Sequence, residues 1–190
     1  MNARLFEPVF IAAFPVVLFM GLISTQVSLQ RRNIDMEGAP PIDPRLLYPS
    51  KLAMIIPWAV MFLQGCGVDL SLSGVPRTLQ WFSLVLWALG FSLAMAGRFG
   101  LGSSFRVGCA KEKTVLKNGG IFRISRNPIY LGLNSTFLAS ALYTLNPVVF
   151  LVGTASSVVH HRIILAEEEC LRRMFGREHE EYCGRVGRYF

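Results

Sequence analysis

Two polar clusters in an otherwise apolar chain carry the side chains from which a reactive site can be built. In the first, Asn127, Tyr130 and Asn134 follow one another at three and four residues, so they share one face of a helix. They open an apolar segment entered through a basic, turn-rich run, Gly120-Ile121-Phe122-Arg123-Ile124-Ser125-Arg126-Asn127-Pro128. Asn is a strong helix N-cap and Pro is favoured at the first helical position, so Asn127-Pro128 predicts a helix start. The unpaired N–H groups there attract carboxylates and phosphates. With Arg123 and Arg126 alongside, it is a place to hold a small anionic cofactor. Read alone, the stripe serves equally as a cap, an interfacial tyrosine and an interhelical hydrogen bond.

The second cluster is Glu167-Glu168-Glu169, preceded by His160, His161 and Arg162, in a chain with only 12 acidic residues. Glu169 reads as a solvated residue pairing with nearby arginine. Glu167 and Glu168 lie closer to apolar sequence, where an unpaired carboxylate is costly, so each calls for a hydroxyl or ammonium partner. His160 with Glu167, and His161 with Glu168, stand seven apart, but the tight spacings of zinc or iron sites are missing, and no metal site is expected. No dinucleotide fingerprint, P-loop or nucleophile elbow is present.

Membrane spans are the elements that must position these groups. Of 190 residues, 52% are hydrophobic and 16% charged, too apolar for an ordinary soluble domain. Apolar runs cover residues 6–29, 52–68, 78–97, 129–145 and 147–159, the last extending to about Ala166. Spans need roughly 17 to 25 residues, so the expectation is an all-α, polytopic membrane bundle of about five helices with a C-terminal cytosolic helical tail. It forms one domain over 1–190, with three spans in 1–97 and the cofactor-binding loop, hairpin and tail in 98–190. The first run is too long for a signal peptide and is taken as a retained span.

Five spans put Arg4 and Arg77 on one side and the rest of the 19 Lys and Arg residues on the other. The positive-inside rule then sets the N-terminus outside and the C-terminus and site in the cytosol. The net charge of +7 records that orientation and attraction to membrane lipids, not a nucleic-acid partner. Cys109, Cys170 and Cys183 fall on the cytosolic side, where thiols stay reduced. In the tail, Gly176 is expected to end a helix, and Val186, Tyr189 and Phe190 to dock on the membrane surface.

Leu116, Gly120-Ile121-Phe122, Arg126-Asn127-Pro128-x-Tyr130-x-Gly132, Glu167-Glu168-x-x-Leu171 and Phe175-Gly176, with Tyr182 and Arg185 downstream, resemble the isoprenylcysteine carboxyl methyltransferase family of integral membrane enzymes. That family is also similar to the phospholipid N-methyltransferases. The resemblance implies a cytosol-facing pocket for S-adenosylmethionine, surrounded by Leu116, Lys117, Phe122, Asn127, Pro128, Ile129 and Tyr130, with Glu167 holding a polar end. It makes Arg162 the candidate for gripping an acidic substrate group. The family typically carries His where this chain has Asn127, and Arg162 stands one residue farther from the glutamates than the family's arginine. On a straight helix, five residues set Arg162 and Glu167 about 140° apart. Either the helix breaks between them or they serve adjoining pockets.

Methyl transfer from a sulfonium needs alignment and exclusion of water rather than a metal. The implied acceptor is lipidic or apolar and enters from the bilayer. An amine acceptor also needs a base, for which Glu168 or His161 is nearest. Two other readings stand beside this one: a membrane reductase using a nicotinamide cofactor, as in the distantly similar sterol reductases, and a non-catalytic membrane scaffold.

Overall fold

The computed structural model describes residues 3–31, 39–106 and 115–190; Cys109 and the middle of the basic 98–127 loop lie outside them. Every regular element among the described residues is helical: α1 (Ala3–Gln30), α2 (Pro44–Ala53), α3 (Ile55–Gly65), α4 (Arg77–Leu101), α5 (Pro128–Thr144), α6 (Pro147–Phe175) and α7 (Arg177–Arg185), with short 3₁₀ turns at Gly102–Ser104 and Gly120–Arg123.

Among the described residues, four stretches are long and apolar enough to cross a membrane: Phe6–Gln30, Pro44–Gly65, Arg77–Leu101 and Pro147–Phe175. Their outer faces carry large exposed apolar residues, among them Phe19, Met20 and Ile23 on α1, Phe82 and Leu89 on α4, and Phe150 and Leu151 on α6. Water would not tolerate such a belt, but lipid requires one. This is an integral membrane helical bundle.

Two differences from the expected spans have local causes. The second span begins earlier, at Pro44, and is broken at Met54 between α2 and α3. Pro57 lacks an N–H, and its ring would meet the carbonyl of Ala53 in a continuous helix. The fourth expected span, α5, has 17 residues, about 26 Å of helix, at the short limit for crossing. It is instead the enclosed helix of the bundle, with Thr136, Phe137, Ala139, Ser140, Tyr143 and Thr144 all buried. Its hydroxyls turn back onto its own carbonyls, as Ser140 does to Thr136 O at 2.9 Å and Thr144 to Ser140 O at 2.8 Å. Thr136 also accepts from Trp58 Nε1 at 3.0 Å.

Small residues let α5 come this close to α4. A Cβ on Gly90 would lie 2.8 Å from the Gly132 carbonyl, and one on Gly97 would lie 2.9 Å from the Pro128 ring. Backbones pack most tightly in membranes where side chains are absent. Around this contact Trp58, Trp87, Phe91 and Phe137 form the aromatic core. At the end of the bundle near the N-terminus, Glu7, the single charge of the first apolar run, accepts from the Tyr143 hydroxyl and pairs with Arg77. The turn into α6 is tight: Leu145 is left-handed at φ 43, and the Asn146 side chain accepts from the N–H groups of Val148 and Val149. That hairpin sets α5 and α6 antiparallel, so the start of α5 faces the end of α6.

Candidate active site

The hairpin brings the two polar clusters together. Tyr130, in the first turn of α5, donates its hydroxyl to Glu167 Oε1 at 2.9 Å. The hydroxyl partner expected for that carboxylate is therefore a residue of the other cluster. A cleft opens beside this pair. Its walls include Leu116, Lys117, Phe122, Asn127, Pro128, Ile129, Tyr130 and Glu167, together with Leu101, Arg126, Glu168, Leu171, His179 and Tyr182. The aromatic and aliphatic walls come from the 3₁₀ turn at Gly120–Arg123, which buries Phe122 against Leu116 and Tyr182.

The C-terminal tail closes one side. Gly176, at φ 52, takes a backbone conformation that a side chain disfavours; it ends α6 and reverses the chain into α7. Tyr182 donates to Phe122 O at 2.7 Å. Burial pushes its phenol up to about 12, so it stays protonated and keeps that bond. Arg126 N donates to Gly187 O at 3.1 Å, and Ser125 Oγ to Arg188 O at 3.3 Å. Arg188 then reaches Glu168 Oε2 through Nε at 3.0 Å and Nη2 at 2.8 Å. Arg126 Nη2 lies 3.3 Å from the other oxygen of the same carboxylate. Val186 packs on the Phe122 cluster, and His161 Nδ1 is hydrogen-bonded to the Tyr189 hydroxyl at 2.6 Å. Of the residues expected to dock on the membrane surface, Val186 thus packs behind the cleft and Tyr189 against α6, while Phe190 is exposed.

Asn127 also differs from expectation. It occupies the N-cap position, but its side chain makes no capping bond. Its Nδ2 donates to Glu168 Oε1 at 3.3 Å and to Arg188 O at 3.2 Å. The first-turn N–H groups of α5 are thus left uncapped by Asn127, and the residue ties α5, α6 and the tail together. Glu169 behaves as expected, exposed towards Arg172 and Arg173 at 2.6 and 2.8 Å.

A second, larger cavity is lined mostly by apolar residues of α1, α2, α3, α4, α5 and α6. It shares Leu101, Ile129, Tyr130 and Glu167 with the first cleft. The Tyr130–Glu167 pair therefore stands in the partition between a polar cleft and an apolar chamber.

The sequence matches the phospholipid methyltransferase family across residues 78–178, more than half of the chain. The chain belongs to the phospholipid methyltransferase family. The matched region runs from α4 to the start of α7 and includes both polar clusters. Among solved structures, the eukaryotic intramembrane Ras methyltransferase ICMT (isoprenylcysteine carboxyl methyltransferase) superposes with a TM-score of 0.60 at 18% identity, covering 97% of this chain and 67% of that one. At that identity the likeness is one of fold. No curated protein sequence matches the chain.

In this phospholipid methyltransferase family member, a membrane methyltransferase, α6 runs unbroken from Pro147 to Phe175. Arg162 is consequently turned away from Glu167; it is exposed and lines neither cavity. Glu168 lines the cleft, but both its oxygens already receive donors from Arg126, Asn127 and Arg188. Such a carboxylate is placed to hold the site together rather than to take a proton. The histidine facing the chamber is His160, not His161: it is buried, with Nδ1 2.8 Å from Asn134 Oδ1, and stacks on Phe137. Since the amide oxygen only accepts, Nδ1 carries the proton. Cys170, expected to be a reduced thiol, is disulfide-bonded, while Cys66 and Cys183 are free. Sequence reasoning missed Arg188, His179 and Arg98, none of which falls in a motif.

Proposed function

We propose that the chain transfers a methyl group from S-adenosylmethionine to a lipidic or apolar acceptor that reaches it from the bilayer. The observation that carries this reading is the shared partition: a polar cleft and an apolar chamber meet at Tyr130 and Glu167. A two-substrate transfer between a charged nucleoside and a lipid needs two rooms of unlike polarity with one contact.

The donor set of the cleft fits that cofactor. Arg126 has a buried Nε without a partner, and with Lys117 and the uncapped start of α5 it suits a carboxylate. Glu167 suits hydroxyls or an ammonium, and Phe122, Leu116 and Leu171 suit a flat heterocycle. When bound, S-adenosylmethionine supplies an electrophilic methyl, its carbon–sulfur bond breaking as the acceptor's bond to carbon forms, and it leaves as a neutral thioether. The chain's own part is positioning. Tyr130 and Glu167 orient one another at the partition, Asn127 and Glu168 fix the start of α5 to the tail, and the apolar walls exclude water. An amine acceptor also gives up a proton, and His160 is the base nearest the chamber side. We place the cleft on the cytosolic side, because nearly all Lys and Arg residues lie at that end of the spans.

Calorimetric titration of the purified protein tests the reading. S-adenosylhomocysteine is expected to bind and reduced nicotinamide dinucleotide phosphate is not; the opposite result would establish a reductase, and binding of neither a scaffold. Glu167→Ala is expected to abolish S-adenosylhomocysteine binding while leaving expression and size-exclusion behaviour intact. Unchanged affinity would remove Glu167 from the site.

A further inference from the structure

Behind the tail wall of the cleft, a thiol, an imidazole and a guanidinium meet, and methyl transfer has no use for the thiol. Cys183, on α7, is free and half-buried. Its Sγ lies 3.6 Å from Nε2 and 3.8 Å from Nδ1 of His179, one turn earlier on the same helix face. Arg126 donates through Nη1 to the same sulfur. His179 is 4% exposed, and among the described residues that sulfur is its only hydrogen-bond partner. Burial, reinforced by the Arg126 charge, holds the imidazole below its usual range, so at neutral pH it is uncharged and able to accept a proton.

This is the surrounding of a reactive thiol rather than of a packed one. Attack by a thiol needs a base to take the proton and benefits from a cation beside the sulfur. His179 stands as the base and Arg126 as the cation. Cys66, the other free thiol, is exposed, and among the described residues its sulfur makes no hydrogen bond. We infer that Cys183 is a modification site at which a small hydroperoxide oxidises the thiol to a sulfenic acid. The sulfur attacks one peroxide oxygen; the S–O bond forms as the O–O bond breaks. Sulfur is oxidised, and the peroxide is reduced to water or an alcohol. The thiol proton passes to His179 and on to the departing oxygen. Arg126 carries the consequence to the cleft, because its Nη2 lies 3.3 Å from Glu168 Oε1 and both residues line that cleft with His179. An oxygen added to Sγ has to fit between Arg126 and His179, which are already in contact with the sulfur. Arg126 then shifts, and the Glu168 contact that helps to hold the tail is lost. That oxidation weakens cofactor binding rests on the methyltransferase reading; the reactivity of the thiol does not.

The test treats the full chain in detergent with hydrogen peroxide, traps sulfenic acid with dimedone and reads the labelled peptides by mass spectrometry. Cys66 in the same molecule is the reference. Cys183 is expected to be labelled about tenfold or more faster than Cys66, although Cys66 is the more exposed. In His179→Gln the Cys183 rate should fall severalfold while the Cys66 rate stays the same. Peroxide should weaken S-adenosylhomocysteine binding to the natural protein about tenfold, whereas Cys183→Ser should bind equally before and after treatment. Labelling of Cys183 no faster than that of Cys66 would overturn the inference, as would full S-adenosylhomocysteine affinity in natural protein with Cys183 completely labelled. Should either variant not fold, the rate comparison on the natural protein decides alone. If untreated natural protein binds no S-adenosylhomocysteine, the methyltransferase reading fails, and the labelling rates still judge the thiol.

Discussion

Arg188 lies outside the matched family region and touches Glu168 rather than the cleft, yet the structure makes it a support of the site. Two of its nitrogens, Nε and Nη2, donate to one oxygen of Glu168, at 3.0 and 2.8 Å. A hydrogen bond to a charged group contributes roughly 1.5 to 3 kcal/mol. The Glu168 and Arg126 side chains are each 13% exposed, but that of Arg188 is 35% exposed, so solvent screening reduces its share. A double-mutant cycle of Glu168→Gln and Arg188→Gln should therefore give a coupling of about 1 to 2 kcal/mol, above the median of surface pairs. Glu168→Gln alone should cost more, about 2 to 3 kcal/mol, because Arg126 is then left buried without its counter-charge. Unfolding in detergent gives the stability arm and S-adenosylhomocysteine titration the affinity arm. Affinity should fall in both single variants, since Glu168 and its partner Asn127 line the cleft. A coupling indistinguishable from zero, with full affinity in Arg188→Gln, would show that the tail merely rests on the bundle.

Gly132→Ala should destabilise by about 1 to 3 kcal/mol, the usual range for overpacking, because the new Cβ would lie 2.6 Å from the Ala94 backbone nitrogen; an unchanged unfolding midpoint would refute the tight α4–α5 contact. Burial, reinforced by the Arg126 charge, holds the His179 imidazole below its usual range. The unfolded chain then binds the proton more readily, so this contribution is fully present above about pH 6.5 and is lost as pH falls below that value; His179→Gln should flatten the decline in a pH series of unfolding midpoints. Arg162→Ala should leave S-adenosylhomocysteine affinity unchanged, and a large loss would show that α6 is rotated from the orientation described.

What the sequence made legible was whatever short-range chemistry encodes. Asn127-Pro128 marked the start of α5, Asn146-Pro147 the hairpin, and Gly176 the end of α6, each through backbone preferences that act within a turn. Once the hairpin is granted, antiparallel packing brings the start of α5 beside the second half of α6, where the Tyr130 ring meets His160 and its hydroxyl reaches Glu167. The illegible features depend on partners far along the chain. Asn127 gives up capping because Arg188 O, 61 residues away, and Glu168 offer it bonds, and no local rule weighs that competition. The break at Met54 was written in Pro57 but is masked by the apolar composition around it. The two arginines show the limit most sharply. Arg98 and Arg162 are equivalent by composition and by membrane side, and the family resemblance favours Arg162 despite its shifted spacing. Helix rotation decides otherwise. The continuous α6 carries Arg162 about 140° from Glu167. On α4, the missing side chain at Gly97 admits Pro128 and Ile129 into close contact, and that contact seats the adjoining Arg98 in the interior. A glycine next to an arginine, rather than any motif, determines which of these two arginines lines the chamber.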